Sequence, residues 1–178
     1  MFFRYANAAF TFATFPGLVA AATIEDTLVQ RVGVPRTISG SSGSYRTEYG
    51  GVDSLRSALA VTVLPFVACS AFAATLLAVA VVAVPFWTLG WWMCSWFGLA
   101  VAVHALPDSD AALALGRASG DVEGAAGRLG AVLASAFRVS DALVLVRADA
   151  LYASLLYYAV ASALLPGSPG IAIPAVLG

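Results

Sequence analysis

The sequence predicts an all-α integral membrane protein with about four transmembrane helices and a short cytosolic polar, β-like segment. Three observations point there. Of the 178 residues, 61% are hydrophobic and only 11% charged, against about a quarter charged in a soluble domain. A single core of this size cannot hide so much apolar surface, so lipid must cover the remainder. Residues 57–84 also form an apolar run without one charge, longer than the roughly 20 residues that a spanning helix needs.

Taken in order, the chain reads as one membrane domain over 1–178, with helices near 8–32, 57–84, 87–106 and 129–165. Polar segments separate them at 33–56 and 107–128. The first helix is interrupted by Pro16-Gly17. Since proline suits a first helical turn, the regular helix starts either at Ala8 or at Pro16. Arg4, the apolar middle and the small residues Ala20 to Ala22 also suit a signal peptide. Within 33–52, Thr37, Ile38 and Tyr45 to Tyr49 read equally as a short hairpin around Ser39 to Gly43 or as a solvent-exposed loop. Asp53 suits the N-cap of the long apolar helix.

Pro65 inside that helix predicts a kink, and Pro85 a tight turn into the next. The arm after Pro85 is crowded with Phe86, Trp87, Trp91, Trp92, Trp96 and Phe97. Trp87 and Trp91 fit the headgroup belt at one end of a span. Trp96 lies about 12 Å deeper and packs on a helix or lipid. The run 148–165 is short for a full span and is expected to continue from the preceding helix. The proline-broken tail is expected to lie on the protein or in the interface.

A net charge of -1 and the absence of a basic stripe give no footprint for nucleic acid. All nine basic residues are Arg, which a GC-rich coding sequence explains. Cys69 and Cys94 sit in apolar runs without CxxC spacing and read as small buried hydrophobes. Four Arg fall in 25–56, four in 106–149 and none at the Pro85 turn. By the positive-inside rule both polar segments face the cytoplasm of a multi-pass protein of the cell membrane, with both termini outside.

Ionisable groups at membrane depth are the candidates for function: Glu25, Asp26, His104, Asp108 and Asp110, with Asp141 and Asp149 further along. In this topology the first five gather at the cytoplasmic ends of two helices. Each also has a plainer role. His104, the single histidine, suits the last carbonyls of a helix better than a metal. Asp108 and Asp110 suit an Asx-turn and an N-cap. Glu25 and Asp26 mark where the first helix leaves lipid, or pair with an Arg. No Gly-x-Ser-x-Gly elbow adjoins the histidine, and a Walker motif needs a Lys the chain lacks.

The order of several short motifs resembles the site-2-type intramembrane zinc metalloproteases. These are Phe15-Pro16-Gly17, Gly33-Val34-Pro35, Pro65-Phe66, and His104-Ala105-Leu106-Pro107 followed by Asp110. The resemblance spans roughly residues 15 to 112. It implies a His-Glu-x-x-His helix whose histidines fall at 21 and 25 and whose glutamate falls at 22. This chain has Ala21, Ala22 and Glu25 there, so two ligands and the proton-shuttling base of such a site are replaced. Cys69 stands near the place of a polar residue expected after Pro-Phe.

The resemblance therefore implies a non-catalytic relative, a scaffold or partner-binding subunit without a cofactor. One alternative is a protease with a rearranged zinc site on Glu25, His104 and Asp110. Another is an accessory subunit of a larger membrane complex or transporter. The expected partners are the lipid bilayer and other membrane proteins.

Overall fold

The computed structural model describes residues 2–33, 36–39, 44–47, 49, 52, 54–142 and 147–165. Seven helices and one two-stranded hairpin appear among them: α1 (Phe2–Ala13), α2 (Phe15–Val32), β1 (Arg36–Ser39), β2 (Ser44–Thr47), α3 (Leu55–Val82), α4 (Leu89–Val103), α5 (Ser109–Gly120), α6 (Ala125–Ala142) and α7 (Ala148–Leu164). They belong to two compact units. One draws on residues 1–22, 68–105 and 149–178, the other on 23–67 and 106–148.

Helix boundaries follow from local chemistry. The first apolar stretch is two helices: α2 agrees with the expected start at Pro16 and end at Val32, and a separate α1 stands where the helix over 8–32 would have begun. Pro16 has no N–H to offer the Phe12 carbonyl, so regular structure stops at Thr14 and restarts at Phe15. The chain still hydrogen-bonds across the break, Thr14 N–H to Phe10 O at 2.9 Å and Leu18 N–H to Thr14 O at 3.0 Å. α2 stops at Gly33, whose φ of 77° is the left-handed conformation of a helix C′ residue. β1 and β2 pair antiparallel with Ile38 opposite Tyr45.

Asp53, the expected cap of the long helix, lies outside the described residues. Ser54 performs that role, its Oγ accepting from Ser57 N–H at 3.1 Å. α3 then runs 28 residues through Pro65. It is the one described helix both long and apolar enough to cross a membrane, with a mean hydropathy of 2.2 in its most apolar stretch. α4 and α7 are apolar but shorter.

α4 begins at Leu89, not 87, because the turn after Pro85 needs room. Trp87 takes a left-handed φ of 62°, and Thr88 closes the turn. Its Oγ1 donates to Pro85 O at 2.7 Å and accepts from Trp91 N–H at 3.3 Å. Two expectations on the C-terminal side need correction. The polar segment 107–128 contains a helix, α5, capped by Asp108, whose Oδ1 accepts from Ala111 N–H at 2.8 Å. The expected helix over 129–165 is two helices, α6 and α7, and Arg147 before α7 has a φ of 53°. The tail after 165 lies outside the described residues.

In the first unit, helices approach through small residues. Ala73, Ala80, Ala100, Ala102, Ala153 and Ala161 are buried around Leu77 and Val101. Gly17 of α2 meets the α4 backbone, and a β-carbon there would overlap the Ala100 carbonyl. Ser70 and Tyr152 share a 2.6 Å hydrogen bond between α3 and α7. Phe72 and Phe97 meet edge to face at 6.0 Å.

The second unit has its own core of Val29, Tyr49, Val52, Ala58, Val61, Ala111, Ala114, Leu115, Ala118 and Ala134. Buried Thr62 donates to Ala111 O at 3.2 Å, and Phe66 meets Phe137 edge to face at 5.6 Å. α5 and α6 form a close hairpin. Gly127 and Gly130 lie against Val122 and Ser119 with no space for a β-carbon.

Candidate functional site

The residues singled out in the sequence fall in both units. In the first unit, His104 is the C-cap residue of α4, its backbone N–H reaching the carbonyls of Val101 and Ala102. Its half-buried ring reaches Thr14, with Nε2 2.9 Å from Thr14 Oγ1. Thr14 is buried, and its hydroxyl donates to Phe10 O at 3.0 Å. A hydroxyl has one proton. Spent on Phe10, it leaves Thr14 as acceptor, which assigns the proton at this contact to His104 Nε2. The break between α1 and α2 and the end of α4 are thereby tied by one side-chain bond.

The role of this tie is measurable. Thr14→Val keeps the shape and removes both bonds. It is expected to cost about 1–2 kcal/mol in denaturant unfolding followed in mild detergent. A double-mutant cycle with His104→Ala is expected to give a coupling of about 0.5–1.5 kcal/mol. A coupling near zero would show that the contact carries no stability.

In the second unit, Glu25 accepts a hydrogen bond from the Tyr49 hydroxyl at 3.2 Å, and Tyr49 is itself buried. Asp26 accepts from Gln30 Nε2 at 3.0 Å, one helical turn along α2. Asp108 is occupied as the cap of α5. Asp110 stands in the first turn of that helix, where a carboxylate favours the helix dipole. Back in the first unit, Asp149 accepts from Ala150 N–H at 2.8 Å at the start of α7. The side chain of Asp141 lies outside the described residues.

Among the described residues, no three or more His, Cys, Asp or Glu side chains are grouped to hold a metal ion. The residues at the motif positions do not fit zinc either: Ala21 is buried, Ala22 exposed, and neither has a donor atom. Cys69 is buried and Cys94 half-buried, and neither is in a disulfide. Sequence reasoning missed Thr14 and Tyr49 as partners of His104 and Glu25, 90 and 24 residues apart. At such separations no local pattern marks a pair.

The aromatic arm around Pro85 forms a connected cluster. Phe86 lies 4.5 Å from Trp91 and 5.2 Å from Trp87, and Trp92 lies 5.0 Å from Trp87 and 4.9 Å from Trp91, by ring centroids. Trp96 donates its indole N–H to Ala13 O at 3.0 Å. Below the cluster, α4 and Tyr157 of α7 line a groove of about 670 Å³. No known protein family matches the chain, and neither a curated protein nor a solved structure does.

Proposed function

We propose that this chain is a non-catalytic integral membrane protein, a scaffold or partner-binding subunit descended from the site-2-type intramembrane zinc metalloproteases. The observation that carries the reading is the replacement at 21, 22 and 25 by Ala, Ala and Glu within a retained order of landmarks. Each landmark has a structural use that outlives catalysis. Pro16-Gly17 starts α2 and lets it touch α4, Gly33 stops α2, Pro65 lies within α3, and His104 ends α4.

Membrane residence is supported by α3. A soluble protein's core helix of that hydropathy is mostly buried, whereas 22% of its most apolar stretch is buried here. At about 1.5 Å per residue it reaches about 42 Å, beyond the roughly 30 Å of hydrocarbon. The reading takes α2, α4 and α7 as further crossings, with the polar segments cytoplasmic. α4 and α7, at about 22 and 25 Å by the same rise, need their flanking turns to complete a span.

The experiment is zinc analysis of the protein purified in mild detergent, together with cleavage assays on membrane-helix peptides. The expected result is far less than one zinc per chain and no cleavage, unchanged by Glu25→Ala or Asp110→Ala. Stoichiometric zinc with cleavage lost in either variant overturns the reading in favour of a rearranged protease site. Co-purification from membranes of one fixed partner in constant ratio supports the subunit role.

A further inference from the structure

Residues 57–107 contain no Asp, Glu, Lys or Arg, so α4 presents no charge to whatever covers it. Its exposed side carries Leu89, Trp92, Met93 and Trp96, and Trp87 stands out from the turn before it, 61% exposed. This face is hollowed into the 670 Å³ groove, walled by Trp91, Trp92, Met93, Trp96 and Leu99 with Tyr157 opposite. The volume lies within the roughly 300–1,000 Å³ of small-molecule sites. From Trp91 to Leu99 the wall runs about 12 Å along the helix axis, a shape suited to a chain rather than a disc.

Ser95 interrupts the largely apolar lining. It is 6% exposed, and its hydroxyl has no hydrogen-bond partner among the described residues. Leaving a buried hydroxyl unsatisfied is unfavourable, so an acceptor supplied from outside would be favoured there. At the upper end of the groove stands the Phe86, Trp87, Trp91 and Trp92 cluster, the kind of aromatic girdle that sits at headgroup level.

We propose that the groove holds the acyl chain of a single phospholipid, with the aromatic cluster at its headgroup level and an ester carbonyl, one step deeper, accepting from Ser95. The charge-free groove has no partner for an ionic group, so the part of a ligand that lies within it is uncharged, as an acyl chain is. The aromatic cluster above an apolar channel matches the order of polarity along a lipid. This inference rests on the membrane reading above and adds a defined lipid site to it.

Native mass spectrometry of the protein in mild detergent doped with phosphatidylcholine tests the proposal. The expected spectrum shows a single-lipid adduct that survives detergent removal. Met93→Trp, which fills the groove from its exposed rim, is expected to lose most of that adduct, and Ser95→Ala to weaken it. Val132→Trp, on the exposed side of α6, is expected to keep it. An absent adduct, or one indifferent to Met93→Trp and Ser95→Ala, overturns the lipid site. So does a dimer that Met93→Trp dissociates, which assigns the groove to a second copy of the chain. Carbonate extraction of the source membranes separates the two readings. Release of the chain defeats membrane residence itself, whereas retention without an adduct defeats only the groove.

Discussion

Gly17→Ala is expected to destabilise the protein by about 2–3 kcal/mol, the upper part of the usual range for overpacking. The sign is informative, because helix propensity alone predicts the reverse. Within a helix, Ala is favoured over Gly by about 0.8–1.0 kcal/mol, and Gly17 lies in the first turn of α2. What opposes that gain is backbone. A β-carbon at Gly17 would overlap the Ala100 carbonyl and stand 2.6 Å from Val101 N. A side-chain neighbour can rotate away, but the main chain of a packed helix cannot move without shifting α4.

The consequences extend to neighbouring contacts. Displacing α4 there stretches the Trp96 bond to Ala13 and the His104 bond to Thr14, each near 3.0 Å. Gly120→Ala is the control. It ends α5, is exposed, and has nothing within 4 Å of a new β-carbon. It is expected to be neutral or to stabilise by up to about 1 kcal/mol. Denaturant unfolding in mild detergent, followed by circular dichroism and indole emission, reads both variants. A Gly17→Ala protein as stable as its parent would mean that α2 and α4 do not meet at this point.

How much of this was legible in the sequence depends on which physical signal each element sends. α3 declares itself through a long apolar run, and Pro85 marks the turn into α4. α5 was hidden because alanine does most of its burial. Ala111, Ala114 with Leu115, and Ala118 recur at helical spacing and are all buried, but Gly and Asp nearby made the segment look like a loop. The end of α6 and the start of α7 merged because both flanks are apolar.

The candidate polar groups were legible as residue types and not as partners. Asp108 followed the cap rule because a cap is local. Glu25 with Tyr49 and His104 with Thr14 depend on the tertiary fold. The buried Ser95 hydroxyl gave no signal at all, since a serine inside an apolar helix can face its own carbonyls, lipid or a groove.

Gly130 supplies the second large effect, on the α5–α6 hairpin. A β-carbon there would overlap Ser119 Oγ and lie 3.0 Å from Leu55 Cδ1 and 3.2 Å from Ser119 Cβ. Ser119 is buried, and its hydroxyl donates to Leu115 O at 2.5 Å, so it cannot swing aside without breaking that bond. Gly130→Ala is therefore expected to cost about 2 kcal/mol. Here the obstacle is a side chain and can be removed.

In a Ser119→Ala background the same Gly130→Ala change is expected to cost less than about 1 kcal/mol, because the Oγ overlap is gone and only the looser contacts with the β-carbon at 119 and with the flexible Leu55 Cδ1 persist. That corresponds to a coupling of at least about 1 kcal/mol, within the range for touching residues. Gly127 offers no such rescue. Its β-carbon would overlap the carbonyl oxygen of Val122, part of the backbone that joins the two helices. Gly127→Ala is accordingly expected to remain costly in either background. Equal costs for Gly130→Ala with and without Ser119 would show that the hairpin is not closed on this serine, and that α5 and α6 pack in a different register.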